Sequence, residues 1–320
     1  MSTQPSVRVY AGEEIARYGF GDDHPFGTDR FNAFWREFTK RGLHHQVQVS
    51  TPKLADQAAI ELFHTANYVA KVKTMSQTGA GYLDTGDTPC FPDAYQTTAY
   101  VVGSVLDAID HIIQGSNKRA FVPIAGLHHA RRNSAAGFCI FNDCGIAIEA
   151  LRTRHGIQRV AYIDIDAHHG DGVFYAFEED PDLIFADLHE DGRYLYPGTG
   201  SRSETGKGAA KGSKLNIPMA SGAGDQAFLS AWSKAEAFIE QAKPEFIILQ
   251  CGADSVAGDP LTHLKYSAKA HAQAAKSLAR IADIHCKGWM LAVGGGGYNR
   301  DNLAHAWCNV VKAMIPQGES

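Results

Sequence analysis

The sequence predicts an α/β fold in which one parallel sheet is covered by helices on both faces. Two observations support this prediction. Apolar stretches of strand length alternate with segments of helical periodicity, and these apolar stretches are continuous rather than interrupted by polar residues. A continuously apolar strand is typical of a strand that is buried on both faces, as in a parallel sheet flanked by helices.

Five segments have the length and composition of buried strands. Each is short, rich in aliphatic or aromatic residues, and followed by glycine or polar residues. Because helical patterns separate most of them, we expect parallel neighbours joined by crossover helices. In chain order, the predicted strands are residues 119–124, 159–165, 182–188, 245–250 and 289–293.

The predicted helices lie before and between these strands. Gly156 is a plausible C-cap, and Pro92 or Asp93 lies near the start of a long helix over 91–115. The first hundred residues are otherwise less regular, with two short helices over 53–77. The remaining helices are predicted over 142–156, 171–180, 225–243, 267–285 and 299–315.

No domain boundary is visible, so we predict one domain over residues 1–320. The stretch 198–213, rich in Gly, Ser and Lys, is too short for a linker and is predicted to be a surface loop. A chain of 320 residues can bury a substantial core, and its 44% hydrophobic and 20% charged residues are within the globular range.

Charge and cysteine content narrow the class of protein. A formal net charge of -5 without a basic tract argues against a nucleic-acid surface. No apolar run approaches the roughly 18 residues of a membrane span, and the N-terminus lacks the pattern of a signal peptide. The six cysteines form no CxxC pair and are predicted to be reduced, mostly core residues of a cytoplasmic protein.

Chemically active side chains follow four of the predicted strands. Ligands in parallel α/β sheets bind at the carboxyl ends of the strands, so all four segments could meet in one cleft. Each residue alone would be interpreted as an ordinary surface or core residue. Their occurrence after four separate strands favours a functional site instead. The residues concerned are His128, His129, Asp164, Asp166, His168, Asp254 and Tyr298.

The spacing of Asp164, Asp166 and His168 favours a metal site. They lie at i, i+2 and i+4, so they point to one side if the chain stays extended there. Asp166 and His168 supply oxygen and nitrogen ligands, and Asp254 can supply a third ligand. Three protein ligands leave a position open for water, which is typical of catalytic zinc, although Fe, Co or Mn remains possible by residue type.

Six motifs occur in the order found in zinc-dependent histone deacetylases. The sequence resembles this family over nearly its whole length, in particular class I-like members and bacterial acetoin-utilization deacetylases. The resemblance implies the arginase/deacetylase fold, with a single eight-stranded parallel sheet flanked by helices. The motifs are GLHHA, GFCIFND, YIDIDAHHGDGV, YPGTG, CGADSVAGDPL and GGGGY.

The resemblance also implies the zinc ligands and the catalytic residues. One zinc ion per chain would be bound by the Asp166, His168 and Asp254 side chains, and Tyr298 would polarise the substrate carbonyl. His169 has no role that we can assign. The tandem histidines and the acids that orient them would be His128, His129, Asp164 and Asp171.

Substrate and potassium sites follow from the same resemblance. A structural potassium ion would lie near Asp164, Asp187 and Leu188, although Asp187 stands where many relatives have serine. A second potassium site is plausible at main-chain oxygens near Phe177, Asp180 and Leu183. The substrate-binding residues would be Asp87 at the rim, Gly137, Phe138 and Tyr196 along an acyl-lysine tunnel, Leu261 at its mouth, and Gly296.

The implied reaction is hydrolysis of N-acetyl-lysine, or of longer acyl-lysine, in a protein or peptide. Metal-activated water would attack, with the histidine pair moving protons and Tyr298 donating to the oxyanion. Alternatives are deacetylation of a small molecule such as an acetylpolyamine, a two-manganese ureohydrolase, and an inactive acyl-lysine-binding module. No nucleic-acid or membrane partner is expected, and the sequence does not predict the oligomeric state.

Overall fold

The described residues of the computed structural model, 5–21 and 23–316, form a single sheet of eight strands. Both ends of the domain predicted over residues 1–320 lie outside the described residues. The first four residues of the N-terminus, for which no signal peptide is predicted, are among them. The strands are Val7–Tyr10 (β1), Gln48–Ser50 (β2), Arg119–Val122 (β3), Val160–Asp164 (β4), Leu183–Asp187 (β5), Lys214–Asn216 (β6), Phe246–Gln250 (β7) and Met290–Val293 (β8).

Ten helices connect and cover these strands in the described part of the chain. No helix there is both long enough and apolar enough to cross a membrane. The helices are Glu13–Ala16 (α1), Arg30–Lys40 (α2), Gln57–Ile60 (α3), Ala66–Thr78 (α4), Ala94–Ile113 (α5), Asp143–His155 (α6), Asp171–Ala176 (α7), Asp225–Ala242 (α8), Ala268–His285 (α9) and Arg300–Met314 (α10).

All neighbouring strands are parallel, in the order β2-β1-β3-β8-β7-β4-β5-β6. The five strands predicted from the sequence are present with slightly shorter bounds, as β3, β4, β5, β7 and β8, and every residue within these bounds is buried. Their continuously apolar composition therefore reflects burial under helices on both faces, and the predicted parallel eight-stranded fold is confirmed.

Some elements differ from the sequence-based prediction. Apolar runs did not reveal β1, β2 and β6, and the α1 and α2 helices were also missed. α7 ends at Ala176, because Phe177 leaves helical geometry, so it is shorter than the predicted 171–180. Gly156 follows α6 in the left-handed region, at φ 69°, as expected for a C-cap.

The strand order explains why the chemically active residues meet. The four strands that end in them are β3, β8, β7 and β4, and these are consecutive neighbours in the sheet. Since all strands are parallel, their carboxyl ends share one edge. Side chains from segments up to 170 positions apart, such as His128 and Tyr298, therefore face one cleft.

Candidate functional site

Three buried side chains converge at this edge as a potential metal centre. One ligand atom from each of Asp166, His168 and Asp254 lies within 4.8 Å of the other two. The Nδ1 atom of His168 is 3.0 Å from Asp166 Oδ1 and 3.1 Å from Asp254 Oδ2. Two carboxylate oxygens and one imidazole nitrogen form a donor set that suits zinc, and also iron or cobalt.

The charges of this group fit a bound cation. Burial lowers the pKa of His168, but hydrogen bonds to Asp166 and Asp254 outweigh burial and raise it well above its usual value. Burial, together with the charge of Asp166, raises the pKa of Asp254 to about 7. Two carboxylates buried side by side need a positive charge between them, which a divalent metal ion supplies.

Backbone approach shapes the inner end of the site. A Cβ atom on Gly252 would lie 1.9 Å from Asp166 Oδ2, and one on Gly296 would lie 2.1 Å from Asp254 Oδ2. The N–H of Gly296 and the Nε2 of Gln250 both donate to Asp166 Oδ2, at 2.8 and 3.0 Å. Gly296, predicted to contact substrate, therefore lies against the ligand carboxylates.

The tandem histidines are each held by the predicted acid. His128 Nδ1 lies 2.7 Å from Asp164 Oδ2, and His129 Nδ1 lies 2.7 Å from Asp171 Oδ1. The two Nε2 atoms face each other at 3.0 Å. If each Nδ1–H donates to its acid, a hydrogen bond between the Nε2 atoms needs one proton, so the pair shares one positive charge. Burial, and then the charge of His128, lower the pKa of His129.

The turn that carries these histidines is fixed by the first residues of α6. The Asp143 carboxylate accepts the N–H groups of Gly126 and Leu127 at 2.9 Å. The Nδ2 of Asn142 donates to the carbonyl groups on either side of His129, at 3.2 and 2.8 Å. Neither Asn142 nor Asp143 was predicted as a site residue, because the sequence alone does not show which turn they contact.

Tyr298 presents a free hydroxyl to the cleft. No described protein group hydrogen-bonds this hydroxyl, and its ring packs edge-on against Phe138 with centroids 5.9 Å apart. Burial, and then the charge of Asp254, raise the pKa of Tyr298 well above its usual value, so the hydroxyl remains a donor. The Asp259 carboxylate accepts the backbone N–H groups of Tyr298 and Leu261, at 2.8 and 2.9 Å.

A cavity of about 260 Å³ leads to these groups. It contains five of the six predicted substrate-binding residues and one residue that was not predicted, Leu195. A Cβ atom on Gly137 would lie 2.5 Å from the ring of His129, so only glycine fits there. The cavity is lined by Asp87, His129, Gly137, Phe138, His168, Leu195, Tyr196, Leu261 and Tyr298.

Phe138 adopts a backbone conformation that bulky residues rarely take, with φ 66°. Its carbonyl accepts the Tyr18 hydroxyl at 2.7 Å, and its N–H donates to Thr88 Oγ1 at 3.1 Å. The Thr88 hydroxyl in turn lies 3.1 Å from Asp87 Oδ1. These hydrogen bonds fix the position of Phe138 relative to the Asp87 carboxylate. A rare backbone conformation persists only where surrounding contacts hold it in this way.

Known proteins are similar in sequence to almost the whole of this chain. The histone deacetylase domain family matches residues 24–314. The chain belongs to the histone deacetylase family. It is 37% identical to the acetoin utilization protein AcuC of Bacillus subtilis, over 95% of this chain and 81% of that protein. It is 32% identical to histone deacetylase clr6 of Schizosaccharomyces pombe, over 94% of this chain and 75% of that protein.

A solved structure also agrees with the fold. The crystal structure of the HDA15 HD domain superimposes with a TM-score of 0.90 at 26% sequence identity, covering 98% of this chain and 90% of that one. The predicted family, its class I-like and acetoin-utilization type, and the fold are therefore confirmed. Family membership supports deacetylase activity for this chain.

The residues predicted for a potassium site are close together in this histone deacetylase family member. Asp164 and Asp187 are register partners on β4 and β5, and the N–H of Leu188 donates to the Asp164 carbonyl at 3.0 Å. Asp187 contacts His189 Nδ1 at 2.7 Å and the N–H of Gly170 at 2.9 Å. Burial opposes protonation of His189, but the charge of Asp187 raises its pKa. The extra carboxylate thus already has two hydrogen-bond partners, the His189 ring and the Gly170 N–H.

Proposed function

We propose that this chain is a zinc-dependent lysine deacetylase that hydrolyses N-acetyl-lysine in proteins or peptides to lysine and acetate. One observation carries the proposal. The cavity has apolar and aromatic walls, and its inner end contains His129, His168 and Tyr298 next to the buried ligand set. A lysine side chain has uncharged methylenes that suit such walls, with only its amide at the polar end.

The buried ligand set is proposed to hold one zinc ion. Asp166, His168 and Asp254 provide three protein ligands, the number that leaves a catalytic zinc site open to water and substrate. Zinc held there supplies Lewis acidity, which activates water and polarises a carbonyl. The glycines at 252 and 296 keep the space around the carboxylates free of side chains.

The protein's own groups would move the protons. His129 Nε2 takes a proton from the attacking water and later gives one to the lysine nitrogen as the C–N bond breaks. Asp171 fixes the ring of His129, and His128 Nε2 lies 3.0 Å from His129 Nε2. The Tyr298 hydroxyl donates a hydrogen bond to the oxygen that becomes negative. The Tyr298 hydroxyl has no described protein partner, whereas His129 Nε2 must give up its contact with His128 Nε2 to take the proton.

The substrate would be aligned by the tunnel walls and its rim. Phe138 and Tyr196 flank the lysine methylenes, and the Asp87 carboxylate accepts an N–H of the substrate backbone. Beside Asp166 and His168, a second small cavity has a volume of only about 10 Å³, room for about one water molecule. This small space supports acetyl over longer acyl groups as the substrate.

Potassium and cellular location are further parts of the proposal. A structural potassium ion is proposed near Asp164, Asp187 and Leu188, on the basis of the resemblance. A cytoplasmic location is proposed because all six cysteines are buried and unpaired. A melting-temperature increase in KCl over choline chloride at equal ionic strength is the expected sign of the potassium site.

Hydrolysis of a small acetylated polyamine is kept as the second candidate. The Asp87 carboxylate lines the cavity and could meet a cationic substrate, which is the observation in its favour. Leu195 and Leu261 line the same cavity and favour a peptide instead.

A comparison of three substrates tests the proposal. With metal-quantified protein, kcat/KM is measured for an acetyl-lysine peptide, the matching butyryl-lysine peptide and N-acetylspermidine. We expect the acetyl-lysine peptide to be hydrolysed at least about 10-fold faster than either of the others, the difference that one poorly accommodated group causes. Preference for N-acetylspermidine would establish the second candidate. Absence of turnover of all three would overturn the proposed function.

A further inference from the structure

A buried ammonium group lies at the start of the edge strand β6. Lys214 is only 2% exposed. Its Nζ atom donates to the carbonyl oxygens of Asp180 and Leu183, at 2.7 and 2.8 Å, and to Ser213 Oγ at 2.8 Å. An ammonium group has three N–H donors, so all of them are used.

These carbonyl oxygens coincide with the second potassium site implied by the sequence resemblance. That site was expected at main-chain oxygens near Phe177, Asp180 and Leu183. The Asp180 and Leu183 carbonyls instead contact Lys214, and the Phe177 carbonyl accepts the N–H of Asp180 at 3.1 Å. A potassium ion and the lysine ammonium would compete for the same oxygens, so the residues present do not fit the ion.

We propose that the ε-ammonium group of Lys214 replaces a monovalent cation, so that this protein binds no potassium at the Asp180 and Leu183 carbonyls. Both cations are monovalent and are satisfied by carbonyl and hydroxyl oxygens. Because the ammonium group is covalently attached to the chain, it loses no translational freedom when it occupies the site. The inference is independent of the proposed enzymatic activity.

The surroundings of Lys214 hold its side chain in one place. The Ser213 hydroxyl donates to the Ala210 carbonyl at 2.7 Å, so its oxygen is directed as an acceptor toward Lys214. The Asp180 side chain forms an ion pair with Arg152, while the Asp180 carbonyl accepts from Lys214. Lys214 thereby joins the α7–β5 turn, the start of β5 and the loop before β6.

Substitution of the lysine should recreate a cation site. Melting temperatures of the wild-type protein and Lys214→Ala are compared in choline chloride and in KCl at equal ionic strength. In choline chloride, we expect Lys214→Ala to melt at least about 3 °C lower than the wild type, because buried carbonyls lose their donors. KCl should raise the melting temperature of Lys214→Ala by more than that of the wild type. Any potassium bound near Asp164 affects both proteins equally.

Two further variants separate the effect of the ammonium group on stability from the effects of its apolar stem and of other lysines on the loop. Lys214→Met keeps the apolar stem and blocks the space, so it should be destabilised without an additional response to KCl. Lys207→Ala is the matched control, because Lys207 lies on the same loop with a 63% exposed side chain that pairs with Glu178. Its melting temperature should stay within about 1 °C of the wild type, as for most surface ion pairs.

Direct ion localisation decides the question even if Lys214→Ala does not fold. Crystals of the wild-type protein are soaked in a thallous salt, whose anomalous scattering reports potassium sites. We expect no thallium peak in contact with the Asp180 and Leu183 carbonyls. A peak there would overturn the inference. An Lys214→Ala variant with the stability and KCl response of the wild type would overturn it as well.

Discussion

At the scale of single residues, the Tyr298 hydroxyl is the group most clearly left free for chemistry. It has no described protein partner and lies at the inner end of the cavity. Tyr298→Phe should therefore retain zinc and stability but lose on the order of 100-fold or more in kcat, as expected for loss of one oxyanion donor. Metal analysis and acetyl-lysine peptide turnover check this. Wild-type turnover by the variant would remove Tyr298 from the mechanism.

Asp259 is a positioning residue for the same tyrosine. Its carboxylate oxygens separately accept the N–H groups of Tyr298 and Leu261. In Asp259→Asn, one oxygen becomes an N–H₂ group that cannot accept, so one of these backbone groups must shift. A displacement of about 1 Å near reacting groups can cost on the order of 100-fold in rate. We expect kcat to fall at least about 10-fold, with zinc content unchanged.

A double-mutant cycle distinguishes this role from general loosening of the loop. If Asp259 acts through Tyr298, then Asp259→Asn should change kcat by less than about twofold in the Tyr298→Phe background. An equal loss in both backgrounds would contradict a positioning role. Asn302→Ala is the matched control, because Asn302 Nδ2 donates to the Ala257 carbonyl of the same turn without contacting Tyr298.

The sequence predicts the charged site residues better than their supports. Asp166, His168 and Asp254 can be identified because carboxylates and histidines are costly to bury without a partner. The supporting contacts of Asn142 and Asp259 depend on which turns pack together, which local spacing does not encode. The roles of all these residues in the reaction, and those of the other site residues, stay predictions.

His169 and Gln250 show two limits of sequence interpretation: a motif residue can lie outside the site, and a site residue can lie outside the predicted set. His169 had no assigned role, and its Nδ1 contacts Thr199 Oγ1 at 2.8 Å, facing away from the ligand set. Gln250 hydrogen-bonds Asp166, and a signal for it existed, since it is the one polar residue that ends the apolar strand β7. An amide at a strand end is common, however, so this signal alone does not predict a site residue.

At the scale of secondary structure elements, a buried neutral histidine connects the α3–α4 segment to the N-terminus of α6. His64 lies between α3 and α4, and its Nε2 accepts the N–H of Asn142, the N-cap of α6, at 2.8 Å. Its Nδ1–H faces the Arg132 carbonyl at 3.3 Å. Burial lowers the pKa of His64 from 6.5 to about 3. Between these two values only the unfolded chain binds the proton, so stability falls as pH decreases below 6.5.

This linkage predicts a pH-dependent difference between wild type and His64→Gln. Glutamine also offers an acceptor and a donor but does not titrate. As pH falls from 7.5 to 5, the stability advantage of the wild type should shrink by at most about 1.4 kcal/mol per pH unit, the limit for one proton. Urea unfolding at several pH values measures it, and the remaining histidines cancel in the comparison. Parallel stability curves would show that His64 is not the source.

The predicted and missed strands differ in their place in the sheet. The five strands found by apolar runs are all fully buried. The missed strands β2 and β6 are the two edges, each has three residues, and both are less buried. Three residues cannot establish a periodicity. β1 is buried but has only four residues, two of them Arg8 and Tyr10. Only the family resemblance indicated eight strands.

At the scale of the whole molecule, topology creates the site. Chain order separates the contributing strands widely, but the sheet places β3, β8, β7 and β4 side by side. The sequence indicates that each strand ends in polar residues, whereas their adjacency depends on the crossover connections. Convergence of four strand ends is also why one substitution at the ligand set should affect both metal binding and catalysis.

Asp166, His168 and Asp254 are proposed to hold one zinc ion that is required for hydrolysis of acetyl-lysine. The most direct measurement is a titration of the metal-free protein with Zn²⁺, with acetate release from an acetyl-lysine peptide as the readout. Activity should rise linearly and reach a plateau at one zinc per chain, while Asp254→Ala should neither retain zinc nor gain activity. A plateau at two metals per chain, or full activity without metal, would contradict the account.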